Sequence, residues 1–134
     1  LSIAVGAQST AQYAYDITVE YTKERKAFGK SVFDFQNTRF KLADLKTQLE
    51  LGWAFVDKCI EHHVRAELSA SDAAMAKLWT TEMLGRMTDE CVQLFGGYGY
   101  MNEYPIARLY TDARVARIYG GTSEIMKELI SRSL

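Results

Sequence analysis

One proline, Pro105, stands among 134 residues, and that scarcity constrains the fold more than any other feature. Proline fixes φ and lacks the backbone donor, so it breaks helix interiors, and its absence from Leu1 to Tyr104 permits long unbroken helices. The apolar spacing uses that freedom. Ala4, Ala7, Ala11, Ala14, Thr18 and Tyr21 recur at three and four, which predicts a helix from Leu1 to about Arg25 whose small side chains admit a close neighbour. Nothing resembling an N-cap precedes it, so the expectation is a helix that begins upstream and a chain that is a fragment. Leu42, Leu45, Leu49, Gly52, Val56 and Cys59 form the stripe of a second helix, from about Gln36 to His63, more than ~35 Å long at about 1.5 Å per residue. Between them, Gly29-Lys30-Ser31-Val32-Phe33 reads as a helix stop and a loop. Ser69-Ala70-Ser71-Asp72 is a capping signal for a third helix, through Ala74, Leu78, Thr81, Gly85, Thr88 and Val92 to about Phe95. Gly96, Gly97 and Gly99 end it. Pro105 suits the first turn of a fourth helix to about Ala116, and Thr122 caps a fifth from Ser123 to the C-terminus. Strand-like alternation is nowhere sustained. The expected fold is all-α: an up-and-down antiparallel helical bundle of three long helices plus two shorter C-terminal helices that complete the fourth position.

Composition narrows the function classes. A formal net charge of −1 gives no global electrostatic attraction to nucleic acid or to an anionic membrane. No apolar run approaches the roughly 20 residues that cross a bilayer, and the chain does not open like a signal peptide, so stable membrane insertion is not expected and the reading is a soluble intracellular chain. Cys59 and Cys91 each fall within a helical apolar pattern, which predicts buried free thiols rather than a disulfide. His62 and His63 are adjacent and point about 100° apart on a helix, so they cannot grip a metal as an i, i+4 pair does. No nucleophile–base signature of a hydrolase is present.

Three segments remain as candidate chemistry. "ERKAFGK" (Glu24 to Lys30) sets Arg25, Lys26 and Lys30 around Phe28 at a helix end, readable equally as cations complementing the helix dipole or as a phosphate clamp with an aromatic platform. "FGGYGY" (Phe95 to Tyr100) is not a dinucleotide fingerprint, because a helix precedes it and a loop follows; it reads as a helix terminator whose bare backbone could still approach a ligand. "GGTSE" (Gly120 to Glu124) joins two glycines to a capped helix start, where unpaired amides and the positive dipole end favour an anion or polar ligand. A tight turn between helices explains one of those glycines better than two.

Together, "ERKAFGK" followed by Gln36, "QLFGGYGYMNEYPIARLYTDARV" from Gln93 and "IYGGTSEIMKELI" from Ile118 resemble the C-terminal domain of the acyl-CoA dehydrogenases, over nearly the whole chain. The resemblance implies a helical bundle that packs against an N-terminal helical and a middle β-domain, usually in a homotetramer or dimer, and a part in FAD-dependent oxidation of acyl-CoA to 2-enoyl-CoA. It implies that Arg25, Phe28 and Gln36 reach across a subunit interface to the FAD pyrophosphate and adenosine, and that Gln93, Gly96 and Gly97 hold the same portion. Thr122 and Glu124 match a capped helix start beside the flavin, and Tyr119, Gly120 and Gly121 fall where the acyl thioester lies. Ala27 and Phe35 depart from residues that some members carry. Gly120 stands where many members keep the glutamate that removes the α-proton. Long-chain and isovaleryl members share this glycine, so no catalytic residue is assigned within the chain and the base is expected as a glutamate about two residues before Leu1. Glu124, in a first helical turn that favours the anion, is the weaker candidate. An electron-transferring flavoprotein is the implied electron acceptor, and the implied location is the cytoplasm in a bacterium or the mitochondrial matrix in a eukaryote. Rival readings are an acyl-CoA oxidase on the same scaffold and a non-catalytic helical module for oligomerisation or cofactor binding.

Overall fold

A computed structural model describes residues 1–134. Five helices make the architecture: α1 (Ser2–Glu24), α2 (Gln36–Val64), α3 (Ala70–Phe95), α4 (Pro105–Val115) and α5 (Ser123–Ser131). The expected all-α bundle is what forms. α3 is its axis, packed against each of the other four helices.

Side-chain contacts fix the directions. Tyr21 stacks on Phe95 with ring centroids 4.0 Å apart, and Ala4 clusters with Ala76, so α1 and α3 run parallel. Cys59 joins Ala4 and Ala76 from the far end of α2, and Lys41 near the start of α2 pairs with Glu90 near the end of α3; α2 is therefore antiparallel to both. α4 begins beside Phe95, whose ring lies 6.2 Å from Tyr104. α5 finishes where the Ser133 hydroxyl meets Ser71 at 2.8 Å. The two short helices thus descend along α3 in succession and fill the fourth position.

The alanine face of α1 is fully used: Ala4, Ala11 and Ala14 are wholly buried and Ala7 nearly so. α3 is buried almost all round, beyond the single stripe expected, because neighbours cover it on several sides. Its buried threonines return their hydroxyls to carbonyls one turn back, Thr80 to Ala76 at 2.7 Å, Thr81 to Lys77 at 2.8 Å and Thr88 to Leu84 at 3.0 Å, which satisfies them without a partner helix. Both cysteines are buried and free, and burial pushes the Cys91 thiol up to about 11.

Two boundaries differ from expectation. α5 ends at Ser131 and leaves an exposed tail. The segment after α1 is a minimal antiparallel hairpin instead of an open loop, β1 (Lys26–Ala27) against β2 (Lys30–Ser31), followed by a 3-10 turn at Val32–Asp34. Phe28 and Gly29, at φ 52° and 81°, have the positive-φ pair of a type I′ turn, the connection whose twist matches two paired strands. Phenylalanine is unusual at such a φ, which is why the turn is hard to see in the sequence.

Candidate functional site

The residues singled out above fall into two clusters. At one end of the bundle the α1 C-terminus, the hairpin, the α2 N-terminus and the α3 C-terminus meet. An open cleft of about 520 Å³ there is lined by Arg25, Gln93, Gly96 and Gly97, with Tyr21, Val32, Leu94, Phe95, Tyr98 and Met101. α1 stops at Glu24, and Arg25 turns to extended backbone at φ −68°, ψ 125°. This carries its guanidinium over the Tyr98 ring, 5.4 Å from the centroid, a cation–π contact that leaves its N–H donors open to the cleft. The Tyr21 hydroxyl donates to the Phe95 carbonyl at 3.2 Å and ties the ends of α1 and α3 together. Lys26 and Lys30 sit on the hairpin strands; Lys30 lies over the Phe35 ring at 4.2 Å.

Glycine has different reasons along this rim. Gly96 caps α3 at φ 63°, a conformation glycine adopts without steric cost. A Cβ on Gly99 would sit 2.6 Å from the Val92 carbonyl oxygen, so the fold itself requires glycine there. Gly97 has neither constraint: its φ is not positive and a Cβ would meet nothing within 4 Å. Phe28 and Gln36 do not line the cleft. Phe28, 97% exposed at the hairpin tip, holds its ring edge-on to Phe35 at 6.4 Å, and Gln36 is the first, exposed residue of α2.

The second cluster lies between α4 and α5. Gly120 and Gly121 take φ 64° and 100°, left-handed values that reverse the chain and aim α5 back along α3. The first turn of α1 lies across them, since a Cβ on Gly120 would collide with the Ile3 side chain. Thr122 caps α5, its hydroxyl oxygen accepting from the Ile125 amide at 3.3 Å. Glu124 is exposed, and the amide at its own helix start, with the Thr122 hydroxyl, holds its carboxyl below the usual range. A shallow cavity of about 190 Å³ gathers Thr122 and Glu124 with Glu82, Arg114 and Arg117; Tyr119, Gly120 and Gly121 stand outside it.

The clusters do not merge. Glu82 of the second and Phe95 of the first stand thirteen positions apart on α3, roughly 20 Å at about 1.5 Å per residue. One chain therefore presents two separate surfaces.

Three residues that sequence reasoning missed support the second cluster from α3 and the α4–α5 loop. Lys77, 4% exposed, donates from Nζ to the Gly121 carbonyl at 2.5 Å; burial pushes its ammonium below the usual range, opposed by nearby Glu82. Glu82 accepts from the Ser123 hydroxyl at 2.6 Å and from Arg117 at 3.2 Å, and the Ser123 hydrogen bond, with Arg117, holds its carboxyl low against burial. The available signal for Lys77 was its place between Ala74 and Thr81, at i+3 and i+7 of the buried face.

Comparison with known proteins gives these surfaces a family. Residues 1–134 match the family described as "Acyl-CoA dehydrogenase, C-terminal domain". The chain is 51% identical over 134 residues to the long-chain specific acyl-CoA dehydrogenase, mitochondrial, of Sus scrofa, covering all of this chain and 31% of that protein. It is 42% identical over 125 residues to the short-chain specific acyl-CoA dehydrogenase of Megasphaera elsdenii, covering 93% of this chain and 33% of that one. The crystal structure of an acyl-CoA dehydrogenase from Geobacillus kaustophilus superposes with a TM-score of 0.96 at 46% identity, over 98% of this chain and 34% of the other. The chain thus spans about a third of the length of these relatives. With a family match from end to end, identities of this size and a shared bundle, the chain belongs to the acyl-CoA dehydrogenase family, in the part that forms its C-terminal helical domain.

Proposed function

We propose that the chain serves as the C-terminal domain of an FAD-dependent dehydrogenase that oxidises an acyl-CoA thioester to its trans-2-enoyl product. The observation that carries this reading is Gly97, a bare backbone position beside an open cleft where neither dihedral angle nor internal packing requires glycine. Close approach of a ligand accounts for it. The side chains around it suit a dinucleotide: the Arg25 fork pairs with pyrophosphate oxygens, Gln93 and Gln36 offer amide donors and acceptors, Gly96 and Gly97 leave room for the cofactor, and the displayed Phe28 ring provides a face for adenine. These residues reach the cofactor of a neighbouring protomer, in a homotetramer or dimer. Thr122 and Glu124, on the second surface, lie beside the flavin of their own protomer. When bound, FAD supplies the acceptor for the β-hydrogen of the acyl chain, leaving as hydride.

The thioester lies against Tyr119, Gly120 and Gly121, where the glycines leave the acyl chain space. The α-proton requires a carboxylate in an apolar, closed pocket, since desolvation raises its pKa toward the working range. Glu124 is exposed and held as the anion, the wrong environment for that task. Ile3 packs on Gly120, so a parent chain of the relatives' length would bring a carboxylate one turn ahead of Ile3, on the same face of α1, toward the same place. That is the base in this reading. The identities favour the long-chain group of the family over the short-chain one, an electron-transferring flavoprotein takes the electrons, and the location is the matrix of mitochondria or the bacterial cytoplasm.

Purified full-length protein is expected to carry one FAD per protomer, and its flavin absorbance to bleach when a long-chain acyl-CoA is added without oxygen. A colourless, flavin-free oligomer overturns the reading in favour of a non-catalytic helical module. Fast reoxidation of the bleached flavin by air identifies an oxidase instead.

A further inference from the structure

We propose that Lys77 is a positioning residue for the thioester niche: its buried ammonium clamps the Gly121 carbonyl and fixes the Gly121–Thr122 peptide plane, with the free Thr122 amide turned away from α3. The inference rests on the functional reading above. Gly120 and Gly121 occupy left-handed φ values of 64° and 100°, and neither has a side chain to fix its peptide plane. Ile3 and Met126 fill the spaces where their Cβ atoms would stand, which bounds the turn sterically without orienting it. The amides of Gly120, Gly121 and Thr122 donate to nothing in the chain, whereas the next amide, Ser123, donates to the Arg117 carbonyl at 3.1 Å. What selects one orientation is the Lys77 Nζ at 2.5 Å from the Gly121 oxygen.

The peptide bond carries the consequence outward. In a trans peptide the carbonyl and the following N–H point in opposite directions. With the Gly121 carbonyl drawn toward Lys77 of α3, the Thr122 N–H of the same peptide faces away from α3. A peptide flip would reverse this, placing an oxygen where a thioester carbonyl gathers negative charge as its α-proton leaves. A buried ammonium on a neutral carbonyl is a poor device for stability alone, because the charge of nearby Glu82 offsets its desolvation only in part. Glu82, the nearby carboxylate, is already committed to Ser123 and Arg117. Orientation of one peptide plane is what the arrangement achieves, and an apolar side chain of equal volume would not supply it.

The test uses the full-length, flavin-loaded protein. Lys77→Met keeps the volume and removes the donor; Lys77→Arg keeps a cation with donors; Lys46→Met is the surface control, as Lys46 pairs with Glu50 at 2.6 Å in solvent. Lys77→Met is expected to retain one FAD per protomer and lose about 10- to 100-fold in kcat, with KM within about threefold, the signature of misaligned groups rather than weakened binding. Lys77→Arg is expected to recover most of that kcat, and Lys46→Met to match wild type. A Lys77→Met protein with wild-type kcat per bound flavin overturns the proposal, as does an Arg variant no faster than the Met one. Should the Met protein fail to fold, the Arg variant decides: kcat within about threefold of wild type supports the clamp, and a loss beyond about tenfold overturns it. Failure of the functional reading is told apart because the wild type itself then lacks flavin or acyl-CoA oxidation.

Discussion

Gly97 and Gly99 stand two positions apart on one rim, and the same substitution to alanine should have opposite consequences. At Gly99 the added methyl falls 2.6 Å from the Val92 carbonyl oxygen and 2.9 Å from the Phe95 Cβ. Both are parts of α3 that cannot swing aside, so the backbone must shift, at a cost of about 1–3 kcal/mol by the usual scale of overpacking. At Gly97 the methyl meets open space and φ is not positive. The only intrinsic effect is reduced freedom of the unfolded chain, about 0.4–1 kcal/mol in favour of folding. A ligand resting on the bare backbone would instead be displaced by about 1 Å, and we expect FAD affinity to fall at least about tenfold, or ~1.4 kcal/mol. Urea unfolding of flavin-stripped full-length protein, followed by circular dichroism, isolates the first quantity from stabilisation by the bound cofactor. Titration of FAD into the same stripped protein, followed by flavin fluorescence, gives the second. The reasoning is refuted if Gly97→Ala is as destabilising as Gly99→Ala, or if it binds FAD with wild-type affinity.

Two further outcomes follow from the same geometry. Glu124→Gln in the full-length protein should slow α-proton abstraction by less than about tenfold, because the carboxyl is exposed and held as the anion; a loss above about a thousandfold with FAD still bound would make Glu124 the base. Burial raises the Cys91 thiol from 9.0 to about 11, so the fold favours the protonated form: its contribution is complete below pH 9 and is lost as pH rises through 11. At about 1.36 kcal/mol per unit that is on the order of 3 kcal/mol, and the urea midpoint should decline more steeply between pH 9 and 11 in wild type than in Cys91→Ala. Parallel curves would contradict it.

Much of the fold was legible because helices announce themselves locally. The alanine ladder of α1, the leucine stripe of α2, the Ser69 cap of α3, Pro105 and Thr122 each specify an element through interactions within a few residues, and the near absence of proline leaves those signals uninterrupted. The hairpin after α1 was hidden because its turn places phenylalanine where asparagine or glycine is usual.

By itself, then, the sequence determined which segments are helical, where they start and, apart from the end of α5, where they stop, and which glycine and arginine motifs stand out, since these depend on backbone propensity and neighbouring side chains. Only the tertiary structure decided that those motifs divide between two surfaces along α3, that Gly97 faces open space while Gly99 is wedged against Val92, and that Lys77 is spent on the Gly121 carbonyl. Those facts depend on which atoms meet across 44 residues of chain in the case of Lys77 and Gly121, and the relative placement of packed helices is set by all their contacts together rather than by any short stretch.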